Sequence, residues 1–249
     1  ISAGNVHFQS KPTPPEPEKA YTPKEPDSLT LPLSVALDKL AVASLTQGKK
    51  KTEILRDARL AYAYDHKQHR LSLGSLKTYW ANTDGTFSID AAKPFAMQGA
   101  VHAAGELDGI AAQGTAFATG NLSDFKFAAD LSSKDVGLHI GTRIRPYAAT
   151  PAELISETEA QAHNLNPKAF MPNLPQAALS LTLAVRAHAE PGISDTLSGQ
   201  LNLYNSKPLL ADQGGIPVRT LNGSFRLDGQ ENIVIDHLLA NLLNKASLN

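Results

Sequence analysis

The stretch ALSLTLAVRAHAE, residues 178–190, decides the class of fold. Leu179, Leu181, Leu183, Val185 and Ala187 fall on one side of an extended chain, and Ser180, Thr182, Arg186 and His188 on the other. A repeat of two with one polar side marks a half-buried β-strand, because successive side chains of a strand point to opposite faces.

The same reading extends in both directions. Downstream, LSGQLNLYN aligns Leu201 with Leu203, RTLNGSFRLDG aligns Phe225 with Leu227, and NIVIDHLLANL aligns Ile233 with Ile235. Upstream, DFKFAADL puts Phe125, Phe127 and Leu131 opposite Asp124, Lys126 and Asp130. TFSID pairs Phe87 with Ile89 after the turn dipeptide Asp84-Gly85. ARLAYAYD and RLSLGSLKTYW, the latter carrying Leu71 and Leu73, flank a polar tetrad from His66 to His69 that reads as a hairpin turn. The first strand is expected in SLTLPLSVALD, residues 28–38, with Pro32 at an edge or bulge. Turn signals at Asp108-Gly109, Gly120-Asn121 and Asp228-Gly229 complete the spacing of an all-β meander.

Two segments break the pattern. Seven of the 16 prolines lie in the first 32 residues, and KPTPPEPEKAYTPKEP cannot bury a face, so residues 1–27 read as a proline-rich linker or surface loop. In TPAELISETEAQAHN, Thr150 to Glu153 form a capping box with proline at the first helical position. A helix is expected over 151–163, inside a loop and helix insertion at about 146–172. Residues 28–249 would otherwise form one β unit.

Composition excludes several classes of function. Lys plus Arg is 23 and Asp plus Glu is 24, so the chain lacks the basic excess of a nucleic-acid binder. There is no cysteine, which removes disulfides, thiolate metal sites and thiol catalysis. No apolar run is long enough for a membrane-spanning helix, and the chain reads as a piece of a longer one. Thirty-five alanines and 6% aromatics imply a core of small side chains.

The catalytic signatures are missing. Neither HExxH, GxSxG nor a phosphate-cradling glycine loop occurs. Ser123 and Lys126 match SxxK, but in a strand segment rather than at a helix start. His66 and His69 are the sole close histidine pair and lack supporting ligands. The expectation is a chain that is not an enzyme and holds no metal or cofactor.

An antiparallel-rich sheet with one apolar face must hide that face. It can close into a sandwich or barrel that serves as a scaffold for a protein partner. It can also stay an elongated, curled trough whose interior takes an apolar guest, each buried methylene contributing about 0.8 kcal/mol. In the second case the seventeen residues from Leu71 to Ile235 named above line the interior. A carbohydrate-active enzyme is a third reading, for which no carboxylate pair can be nominated.

Particular stretches resemble a known family. NPKAFMPNLPQAALSLTLAVRAHA (166–189) and LSGQLNLYNSKPLLADQGGIPVRTLNG (197–223) carry Asn-Pro, then Pro-x-Ala-x-Leu into a strand. A Gly-x-Leu-x-Leu-x-Asn strand and Ile-Pro-Val before the next strand follow. LRDARLAYAYDHKQHRLSLGSLK and GTFSIDAAKPFAMQGAVHAAGELDG share the family's strand-turn-strand phrasing. Together these resemble the TamB family, the inner-membrane subunits of the translocation and assembly module, within the AsmA-like bridge proteins. The resemblance runs from Ser28 onward and implies a β-taco trough in the periplasm, in a parent anchored in the inner membrane. It further implies phospholipid clients moving between the two membranes and a TamA-type outer-membrane barrel as partner. Help in assembling autotransporters and other outer-membrane proteins is implied as well, with unfolded outer-membrane β-strands as further partners.

Overall fold

The computed structural model describes residues 2–8, 23–47, 52–148, 151–188, 196–227, 232–243 and 247–248. They form one 15-stranded sheet whose spatial order follows the chain. The strands are β1 Ser2–Phe8, β2 Val35–Gln47, β3 Thr52–Tyr64, β4 Gln68–Lys77 and β5 Ala81–Asp90. Then come β6 Ala96–Leu107, β7 Ile110–Asn121, β8 Asp124–Ser133, β9 Gly137–Ile144 and β10 Ile155–Leu165. The last five are β11 Leu179–His188, β12 Thr196–Asn205, β13 Val218–Leu227, β14 Ile233–Leu242 and β15 Ser247–Leu248. β1 pairs with β2 in parallel, and every later pairing is antiparallel. Among the described residues no pairing joins β1 to β15, so the sheet is open and does not close as a barrel.

Local chemistry sets the hairpins. Asp108 and Gly109 both adopt positive φ, 51° and 77°, as a two-residue turn twisting with its strands requires. At the next turn Asn121 Oδ1 accepts from the backbone N–H groups of Ser123 and Asp124.

The sheet is elongated and curled. In a flat sheet, three strand spacings of about 4.8 Å would hold the start of β7 about 14 Å from β10. Instead Asn166, just past β10, donates through Nδ2 to Asp108 Oδ2 at 2.9 Å. A short helix, α2 (Pro167–Phe170), is capped by the same Asn166 side chain and folds back over this end. Its Ala169 and Phe170 pack with Leu107, Ala112, Leu131, Leu138 and Trp80. The Trp80 and Phe170 rings meet edge to face with centroids 5.9 Å apart. At the end of β12 Asn205 is fully buried: its Oδ1 accepts from the N–H groups of Ala178 and Lys207, and its Nδ2 donates to Ile216 O.

Several expectations are corrected. Helix α1 covers only Pro151–Leu154, and the rest of the expected 151–163 helix is β10, paired with both β9 and β11. The segment 146–172 is therefore not an insertion but contributes a strand to the sheet. β2 begins at Val35 rather than Ser28; Leu29 and Leu31 lie outside it, and their backbone N–H groups bond Ala91 O and Tyr64 Oη. Asp84-Gly85 is not a turn but the middle of β5, where a Cβ on Gly85 would strike the backbone of Ala100 and Val101. Residues 2–8 form β1 where a linker is expected, whereas most of the proline-rich run and Asp228-Gly229 lie outside the described residues.

Candidate functional site: an apolar lane along one face

The register places one face of the sheet in rows that cross it from strand to strand. One row runs Leu37, Tyr62, Leu71, Phe87, Gly99 and Ala118 across β2–β7. It continues through Phe127, Thr142, Thr158, Val185, Gly199, Phe225 and Ile235 across β8–β14. A parallel row carries Leu73, Gly85, Val101, Ala116, Ala129, Ile140, Ala160, Leu183, Leu201, Gly223 and Leu238. The register puts all seventeen residues expected to line a trough on this one face. Leu131 joins it through Gly114, Leu203 through Leu181, and Ile233 through Leu227. Ile89 joins through Met97, Phe125 through Gly120, and Leu179 through Asn205.

Large rings on this face sit on glycines. Phe87 lies against Gly99 and Phe225 against Gly199. The absent Cβ lets the neighbouring ring lie down on the sheet, which keeps the lane shallow and smooth.

Burial along the lane is uneven. Ile89, Leu131, Leu179 and Val185 are buried, mostly near strand ends. Phe87, Phe127, Leu183, Leu201 and Leu203 in the middle are only partly buried. At the far edge Ile233 and Ile235 are 72% and 60% exposed. A closed sandwich would bury the central positions completely; this lane keeps apolar surface on offer.

The opposite face is polar and held by ion pairs. Arg143 grips Asp124 with both Nε and Nη2, at 2.7 and 2.6 Å, and this pairing, with Arg145 beside it, holds the Asp124 carboxyl below the usual range. His139 Nδ1 lies 2.7 Å from Asp130 Oδ1, a hydrogen bond that raises the His139 pKa, with Glu159 adding to it. Lys126, Glu157 and Arg186 complete an exposed charged row in register with Arg143.

The residues singled out for chemistry stand apart from one another. Ser123 donates to Asn121 in a turn, and Lys126 projects from β8 on the polar face. His69 stands in β4 with one ring nitrogen on Tyr62 Oη and the other on Leu29 O. Among the described residues no group of three His, Cys, Asp or Glu side chains could hold a metal ion. No helix among them is long and apolar enough to cross a membrane.

Sequence reasoning missed β9 and β10 as parts of this face. Leu138, Ile140 and Ile144 do alternate in GLHIGTRI, and that signal was available. Between Ile155 and Leu165 at its ends, β10 offers the lane Thr158, Ala160 and Ala162, too little apolar side chain to stand out. Comparison with family models, with curated proteins and with solved structures found no match to this chain.

Proposed function

We propose that the chain is a non-enzymatic module whose apolar lane binds lipid acyl chains. The observation that carries this reading is the apolar row held in register from β2 to β14 yet left partly open along its length. Such a surface is stabilised by an apolar guest, at about 25 cal/mol per Å² removed from water. A long acyl chain fits a lane of small and ring-on-glycine positions. The TamB-family resemblance of residues 166–223 supports a specific setting: a periplasmic segment of an inner-membrane-anchored parent that partners a TamA-type barrel. Its roles there would be phospholipid transport between the membranes and assembly of autotransporters and other outer-membrane proteins.

The test is mass spectrometry under non-denaturing conditions of protein purified from a Gram-negative periplasm. Bound phospholipid is expected. Protein that arrives free of lipid and also takes up no pyrene-labelled phospholipid overturns the reading.

A further inference from the structure

Between β6 and β13 the lane has one polar interruption away from the strand ends. On the lane-facing positions of β6–β13 the other polar residues are Ser133 and Asn205, both at the end closed by α2, and both spent on backbone groups. Thr142 and Thr158 are different. They are register partners in the middle of the lane, between Phe127 and Val185, with their hydroxyl oxygens 2.8 Å apart. One hydroxyl proton lies between the two oxygens. The other has no acceptor among the described residues, and a hydroxyl keeps spare lone pairs besides. Two residues away Ser156, the extra residue of the β10 bulge, has a buried hydroxyl with no hydrogen-bond partner.

An all-hydrocarbon guest would leave the second hydroxyl proton of the pair without an acceptor and lose affinity for it. A guest with an ester at one end of its hydrocarbon would not. From Val185, the register partner of Thr158, to Leu179, the partner of Leu165, the sheet advances six residues, or about 20 Å. That is close to the length of an extended phospholipid acyl chain, and it ends where Phe170, Trp80 and Leu107 close the trough.

Resting on the lipid-binding reading above, we propose that the Thr142–Thr158 pair is a polarity-setting station. Its hydroxyls hold the ester groups of a diacyl glycerophospholipid, with the acyl chains directed along β8–β10 toward the α2 cap. The trough therefore accepts phospholipid in one orientation.

The test compares the wild-type chain with the double variant Thr142→Val and Thr158→Val, which keeps shape and strand preference. Two probes are titrated, a pyrene-labelled phosphatidylglycerol and a pyrene-labelled alkane. Loss of two modest hydrogen bonds predicts about tenfold weaker phosphatidylglycerol binding with alkane binding unchanged or tighter. The unchanged alkane arm also reports that the lane is still folded. Equal phosphatidylglycerol affinity in both proteins overturns the station while leaving lipid binding intact. Equal weakening of both probes overturns it too, since the pair would then act only on the shape of the lane. Failure of the wild type to bind either probe overturns the lipid-binding reading itself.

Discussion

The ring of Phe225 lies flat over Gly199, its register partner on the next strand. A Cβ at residue 199 would collide with three atoms of that ring. Gly199→Ala is therefore expected to destabilise by about 1–3 kcal/mol, the usual range for overpacking. Gly137→Ala, where a Cβ meets nothing, is expected to change stability little. Urea midpoints of the two variants check the contrast.

Face assignment is tested by charge. Leu183 and Phe127 are on the lane and partly open, whereas Thr182 is exposed on the polar face. Leu183→Asp and Phe127→Asp are expected to stay β by far-UV dichroism while losing bound lipid, because water reaches the new carboxylate. Thr182→Asp is expected to lose neither. Unfolding of both lane variants would show a closed core, where an unpaired charge costs several kcal/mol.

The closed end of the trough has its own reporter. Trp80 is the chain's single tryptophan, and Phe170 covers its edge. Phe170→Ala is expected to red-shift the tryptophan emission and to destabilise by about 1–3 kcal/mol, less than for a fully buried ring. An unchanged spectrum would show that α2 does not shield this ring in solution.

The polar face predicts two pH effects of opposite sign. His139 has its pKa raised above the ordinary 6.5 by Asp130, so the stability it contributes is present below pH 6.5 and fades as pH rises through the raised value. Asp124 has its pKa lowered below the ordinary 3.8 by Arg143, so its contribution is present above pH 3.8 and is lost as pH falls through the lowered value. His139→Gln should flatten the slope just above pH 6.5, and Arg143→Gln the acid branch. Both groups are partly open to solvent, which screens them, so both effects should be small. Denaturation midpoints across pH in the parent and each variant separate them.

Strands with large side chains on one side were legible from sequence. Leu179 to Val185 and Phe125 to Leu131 alternate strongly enough to set both class and face. The α2 cap and β10 were not. The helix expected after Thr150 does start at Pro151, but it stops after one turn. Glu157, Glu159 and Gln161 then alternate with Thr158, Ala160 and Ala162, which satisfies a strand whose neighbours supply the bulk. Small residues facing inward leave almost no hydrophobic signal, so only the pairing partners decide. Gly85 misled for a related reason: it marks a close approach of β6 to β5 rather than a change of chain direction.

Because spatial order repeats chain order throughout, each strand answers mainly to the one before and the one after it. The molecule is thus a ribbon gauged in hairpins, each adding about 10 Å of width. Removing a single strand would reverse the direction of everything beyond it, whereas removing or duplicating a hairpin preserves direction and leaves which face is greasy unchanged. Span can accordingly be lengthened or shortened in modular steps without redesigning the remainder, as in other arrays whose stability is a sum of nearest-neighbour contributions.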